Sequence, residues 1–296
     1  MRSTILVTTV LLAACSPPEA IGEQEAAIVG GSTDTGDPSV VLVHGDDGST
    51  STTTCTGSII APRVVLTAAH CVTNKAYGLS IGLNYLYDFT DSASAGALVP
   101  VESSTIAPGY DPTVIPQLHD IAIIRVGTNL GTPLPYHAGA PDGTWYGQPL
   151  RIVGYGSTGA KTEDQNMRRA VMTEIFDIWP NDLAIDNGKQ PCSGDSGGPA
   201  FLTLNGVSTI VGVASSASPD CMTSAHYGRI DTDITFINAA VAGSSGGGTP
   251  GATSVAVHGT QTSAGCNATG RDTTSGLWGS LLVLLALLHI RSRRPA

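Results

Sequence analysis

Three short patterns carry the side chains that could do chemistry together. They are Thr67-Ala68-Ala69-His70-Cys71, then Asp120-Ile121-Ala122-Ile123-Ile124, then Gly194-Asp195-Ser196-Gly197-Gly198-Pro199. A serine hydroxyl is a poor nucleophile near neutral pH. It needs an imidazole to take its proton, and the imidazole needs a carboxylate to hold the right tautomer. Taken singly, His70 reads as a core or surface histidine, Asp120 as a turn residue and Gly194–Gly198 as a loop. Taken jointly and in this order, His70, Asp120 and Ser196 make a set able to open an amide or ester through an acyl intermediate.

Something must hold these residues in register. Short apolar, β-branched runs recur between turn-forming residues, at Val40–Val43, Ser58–Ile60, Val64–Thr67, Ile121–Val126, Leu150–Val153, Phe201–Leu204 and Ile210–Ala214. Runs of this length and spacing predict a β-sandwich or barrel. The 36 glycines among 296 residues and the few charges suit a turn-rich β fold better than a helical bundle. Only Asp231–Val241 has helical spacing, with Ile234, Ile237 and Val241 on one face. The expectation is an all-β region closing with a short helix.

The net charge of −10 leaves no basic patch to neutralise phosphates, so nucleic acid is not an expected partner. The histidines lack metal-ligand spacing, no ligand set for calcium stands out between Asn84 and Gly96, and no cofactor motif is present; no metal or cofactor is expected. Six cysteines occur. Cys55, Cys71, Cys192 and Cys221 lie in the central region, and four cysteines allow three pairings.

Cys15 and Cys266 lie alone near the ends. Residues 1–15 hold one arginine, a short apolar stretch and Leu12-Ala13-Ala14-Cys15, which fits an export signal and resembles a bacterial lipobox. Residues 242–275 are rich in Gly, Ser and Thr and read as a flexible linker and spacer around Cys266. Residues 276–296 hold the apolar run Leu277–Ile290 and a basic tail, similar to bacterial C-terminal sorting signals, particularly the cysteine-containing myxobacterial type; a permanent tail anchor is the simpler reading. Both ends are expected to touch a membrane, with the basic tail on the cytoplasmic side.

The central region resembles the trypsin/chymotrypsin family of serine proteases. The three patterns carry the likeness, because His, Asp, Ser is that family's chain order. Ile28-Val29-Gly30-Gly31 looks like its activated N-terminus, and the resemblance spans residues 28–241. It implies two six-stranded antiparallel Greek-key barrels with the active site in the cleft between them. It implies a zymogen whose residues 16–27 are removed at Ala27-Ile28, by another protease or by itself. The new ammonium of Ile28 would pair with Asp195, and the N–H groups of Gly194 and Ser196 would form the oxyanion hole. It also implies disulfides Cys55–Cys71 and Cys192–Cys221. Other bridges of animal members have no cysteines here, which fits a bacterial member.

Within that likeness, Gly188-Lys189-Gln190-Pro191-Cys192 aligns with the pocket base, so Gln190 stands where tryptic enzymes have an aspartate. Ala217 and Ala225 stand at wall positions that are usually glycine, and Ser216 replaces a usual tryptophan between the strand positions Ser215 and Ala217. Without a fixed carboxylate a buried cationic side chain lacks its counter-charge. A small or medium uncharged residue is expected before the cleaved bond. Strand alternation places His226 away from the pocket, as a structural histidine. The expected whole is an exported serine endopeptidase acting on polypeptides, at the cell envelope, on the outer surface or released. The competing reading is a catalytically silent trypsin-fold binding or adhesion protein.

Overall fold

The computed structural model describes residues 28–46, 52–73, 78–87, 98–162 and 164–244. Six strands form a closed barrel: β2 (Val40–Asp46), β3 (Thr52–Ala61), β4 (Val64–Thr67), β5 (Gly78–Gly82), β6 (Leu98–Ile106) and β7 (Ala122–Val126), in the order β2-β3-β4-β7-β6-β5. All its pairings are antiparallel. Closure leaves no edge strand unpaired. Both faces of these strands are packed with β-branched and leucine side chains, among them Ile59, Val65, Leu66, Ile81, Ile123 and Ile124, all fully buried.

The other strands are β1 (Ser32–Thr33), β8 (Pro149–Gly154), β9 (Arg169–Glu174), β10 (Asp177–Ile178), β11 (Asp182–Ile185), β12 (Pro199–Leu204), β13 (Val207–Ala217) and β14 (Ala225–Arg229). They form one antiparallel sheet in the order β1-β9-β8-β12-β13-β14-β11-β10. Its six-stranded centre is the second lobe expected from the sequence. Two-residue strands extend both edges, so this lobe is a half-barrel rather than a closed one.

The apolar runs singled out in the sequence all lie in these strands, with Ile121 just ahead of β7. The expected helix is a 3₁₀ turn over Asp231–Asp233 continuing into an α-helix over Ile234–Ala242. Its buried face is Ile237 and Ala240, in one apolar cluster with the barrel. Val153, Phe201, Ile210 and Val213 of the second lobe belong to that cluster too. The lobes therefore share one apolar cluster, and Thr56 Oγ1 also bonds across them to the Gly194 carbonyl.

The expectations for Cys15, for Cys266 and for residues 1–27, 245–275 and 276–296 fall outside the described residues.

Candidate active site

Strand β4 ends at Thr67, and a four-residue helical turn, His70–Thr73, follows at once. His70 therefore stands at the barrel rim, half-buried. Asp120 lies just before β7 and is fully buried. Its Oδ1 accepts the His70 backbone N–H at 2.9 Å, and His70 Nδ1 lies 2.7 Å from Oδ2. A third donor comes from the other lobe: Ser215 Oγ donates to Oδ2 at 2.7 Å. A carboxylate out of water is tolerable only when so paired. With Nδ1 bound to Asp120, the imidazole keeps its Nε2 lone pair free to accept a proton.

A bulge brings Ser215 there. The β13–β14 register slips between Ala214 and Ser216. Such an irregularity re-aims one side chain and leaves its neighbours on their faces. Sequence reasoning assigned Ser215 a backbone role only. A hydroxyl in a Ser-Ser run gives no local sign of a partner 95 residues away.

Ser196 sits in a tight turn between Cys192 and β12. Gly197 has φ +84°, and a Cβ there would lie 2.1 Å from Thr67 Oγ1 and 2.3 Å from the Thr56 carbonyl, so only glycine fits. Two peptide planes on either side of Gly194 and Asp195 are tied down. The Ser193 carbonyl accepts from Ser157 N–H at 2.9 Å, and the Asp195 carbonyl accepts from Gly198 N–H at 2.8 Å. In a planar trans peptide the N–H points opposite to the C=O. The N–H groups of Gly194 and Ser196 thus each point away from the bond that ties the neighbouring carbonyl.

Disulfides close between Cys55 and Cys71 and between Cys192 and Cys221. The first ties β3 to the turn that carries His70. The second ties the nucleophile turn to the loop after β13. Beside it lies a cavity of about 270 Å³, lined by Pro191, Cys192, Ser196, Ala214–Ser218 and Pro219 among others. Ala217 is on its wall. Ala225, its cross-strand neighbour, is fully buried behind it. Gln190 is fully buried next to the lining residue Pro191, and neither amide atom has a partner among the described residues. Among the described residues, no carboxylate lines this cavity.

Asp195 is the other buried acid. Its Oδ1 accepts from Gly156 N–H and its Oδ2 from Cys192 N–H, both at 2.8 Å. Burial outweighs these bonds and pushes its pKa up to about 7. Ile28 is also buried, in the apolar cluster of Trp145, Leu150, Ile152 and Tyr227. The next N–H, of Val29, donates to the Gln190 carbonyl at 3.2 Å. The start of the described chain thus docks beside Gln190, which is not among the residues lining the cavity.

Three more features lay beyond sequence reasoning. His119, at φ +50° just before Asp120, has Nδ1 2.9 Å from Asp233 Oδ1. Asp182, on β11, is buried with Oδ1 unpartnered; burial first and the Asp120 charge second push its pKa to about 7. His226 lies on the face opposite Ala225 and Tyr227, as alternation predicts, and stacks on Trp179 with centroids 4.7 Å apart. None of these contacts has a local signature, because each partner lies on a different element.

Two antiparallel β lobes thus meet around the His70–Asp120 pair and the Ser196 turn. The family profile described as Trypsin matches residues 28–241, and the chain belongs to that family. Among curated relatives, "Chymotrypsin-like elastase family member 1" of Bos taurus is 25% identical over 264 residues, covering 80% of this chain and 98% of that protein. "CLIP domain-containing serine protease B4" of Anopheles gambiae is 28% identical, covering 56% of this chain and 55% of the relative. The chain spans about half the length of several relatives it matches. A solved structure, "HUMAN HEPARIN BINDING PROTEIN", superposes with TM-score 0.60 at 20% identity, covering 76% of this chain and all of the other. At that identity it speaks for the fold alone.

Proposed function

We propose that the protein is a serine endopeptidase that hydrolyses polypeptides through an acyl-enzyme. His70 acts as general base and acid, Asp120 orients it, and Ser196 is the nucleophile. The N–H groups of Gly194 and Ser196 bind the oxyanion. The observation that carries this reading is the buried His70–Asp120 pair together with the Ser196 turn, whose own carbonyl accepts from Thr56 N–H at 2.7 Å and whose flanking carbonyls are both tied back. The test is labelling by a fluorophosphonate probe after processing at Ile28. Labelling that vanishes in Ser196→Ala supports the reading; an unlabelled processed chain supports the silent binding protein instead.

The pocket would take a small or medium uncharged side chain. Among the described residues no carboxylate lines it, Ala217 is on its wall and Ala225 backs it. The backbone of Ser215 and Ala217 would pair with the extended substrate.

Activation would follow cleavage at Ala27-Ile28. A free ammonium on Ile28 would supply the charge that buried Asp195 lacks, and that pair would hold the oxyanion turn. Ala27 is a residue this pocket would accept, so the precursor would process itself. Ser196→Ala precursor, expressed alone in a protease-free host, should then stay uncut at Ala27-Ile28; cleavage at the normal rate would show another protease at work. Export fits the two disulfides. Membrane attachment through the segments around Cys15 and Cys266 is part of the same proposal, with cleavage after Ala27 releasing the first.

A further inference from the structure

Asp182 is a buried acid that the proposed catalysis does not use. Strand registers set it opposite Gly228, and Gly228 opposite Val213. Residues directly opposite one another share a face of the sheet. The neighbouring row, Leu183, Tyr227 and Ala214, packs into the open lobe's own apolar cluster. Val213 instead belongs to the cluster shared with the barrel. Successive side chains alternate between faces, so Asp182 points to the seam between the lobes. The seam at this row is lined by the segment that carries Asp120: a Cβ on Gly228 would meet Ile121 Cδ1 at 3.7 Å. Ser215, which donates to Asp120, reaches it from the neighbouring strand β13.

The carboxyl has no neutralising partner there. Asp182 is 2% exposed, and its Oδ1 has no hydrogen-bond partner among the described residues. The cations that face it are engaged elsewhere. Arg229 donates through Nε and Nη2 to Asp231 and through Nη1 to the carbonyls of Trp179 and Pro180. His119 Nδ1 is held by Asp233. Asp120 is met by His70 and Ser215, with the Tyr110 phenol close enough to feel its charge. Burial first and the Asp120 charge second push the Asp182 pKa up to about 7, against weaker pulls from Arg229 and His119. Two charges act equally on each other, so an ionised Asp182 bears on Asp120 and its imidazole partner in turn.

We infer that Asp182 is a positioning residue for the catalytic pair, acting through Asp120: as it ionises it sets a second negative charge behind Asp120, and His70 then releases its proton only at higher pH. The inference rests on the peptidase reading, in which His70 must be unprotonated to take the Ser196 proton. An imidazolium facing two buried carboxylates is stabilised more than one facing a single carboxylate. The rising limb of kcat/KM with pH should therefore lie higher than it would with an uncharged residue at position 182.

The experiment uses the processed full chain and an uncharged peptide substrate, with kcat/KM measured between pH 5 and 9. Asp182→Asn and Asp182→Ser share only the loss of the charge. Both should move the midpoint of the rising limb to lower pH by several tenths of a unit and leave the alkaline plateau in place. Asp182→Glu keeps a charge and should keep the wild-type midpoint. A measurement on wild type needs no variant to fold. Coupled groups titrate over a wider range than one group, so the wild-type limb should be shallower than a one-proton curve and should steepen in both uncharged variants. A one-proton wild-type limb, a midpoint unmoved in the folded variants, or a plateau lowered at every pH overturns the inference while the peptidase reading stands. A processed wild type that neither labels with the fluorophosphonate nor cleaves overturns both.

Discussion

The two lobes solve different problems with the same kind of strand. The closed barrel shuts all its edges, and most of its buried side chains are apolar; among the described residues its one buried acid, Asp120, stands at the rim and is met by His70 and Ser215. It contributes His70 and Asp120 from its rim. The open lobe keeps buried polar groups: Asp195, Asp182, Gln190 and Arg168 are each no more than 2% exposed. It contributes the Ser196 turn, the cavity beside it and the docking place of Ile28. An apolar interior has one charge state and one packing. A lobe holding buried acids has an energy that depends on what neutralises them. In the proposed mechanism the closed lobe holds geometry while the open lobe is where processing acts.

The sharpest way to break this contrast is Asp195→Asn. In the proposed mechanism it removes the anchor of the oxyanion turn, and kcat/KM of the processed enzyme should fall on the order of 10²–10³-fold, the cost of losing an oxyanion donor. The same substitution should act oppositely on the precursor. A carboxyl with folded pKa about 7 against an ordinary 3.8 keeps a proton that the unfolded chain gives up. Its share of stability is therefore intact below about pH 4, declines as pH rises towards 7 and stays lost above. Denaturation of uncut precursor at pH 5 and pH 8 should show that decline, and Asp195→Asn should flatten part of it. Asp182 contributes a decline of the same sign, which remains in the variant.

In the closed lobe the expectation is reversed. Ile124→Ala empties fully buried volume at the barrel centre and should cost about 2–5 kcal/mol of stability. It should leave kcat of the folded fraction unchanged; urea titration on a Ser196→Ala background separates stability from self-digestion. A large loss of kcat there would mean that the barrel is no passive holder.

The smallest effect expected lies where the lobes meet. His119 occupies the left-handed region immediately before Asp120 and is held by Asp233, which leads into the C-terminal helix. His119→Ala releases that turn, and kcat should fall by roughly tenfold or less with KM steady, since misplacing a reacting group mainly costs rate. Steady-state kinetics of the folded variant checks it. An effect as large as that of Asp195→Asn would erase the distinction between the lobes.

Much of this was legible in the residues. Val40–Val43 and Val64–Thr67 read as strands because an unbroken β-branched run between turns has few other places to go. The patterns around His70, Asp120 and Ser196 read as one site because their chemistry needs all three. Contacts between elements were not legible. Ser215 reaches Asp120 through a bulge, and no residue type in the run signals where a register will slip. Trp179 reads as a loop aromatic until the β10–β11 and β11–β14 registers bring it over His226. Asp182 looks like a turn residue ahead of Leu183-Ala184-Ile185; only packing shows it buried near Asp120.

Local chemistry was thus decided by the chain alone: which side chains could react, where glycine was needed, and where strands would form. These depend on residue type and short-range sterics, which a linear pattern carries. The tertiary structure decided which donors reach Asp120, which carbonyls are tied back beside Ser196 and which ring covers His226. Those depend on registers between strands far apart in sequence, where one residue of slip turns every side chain to the other face.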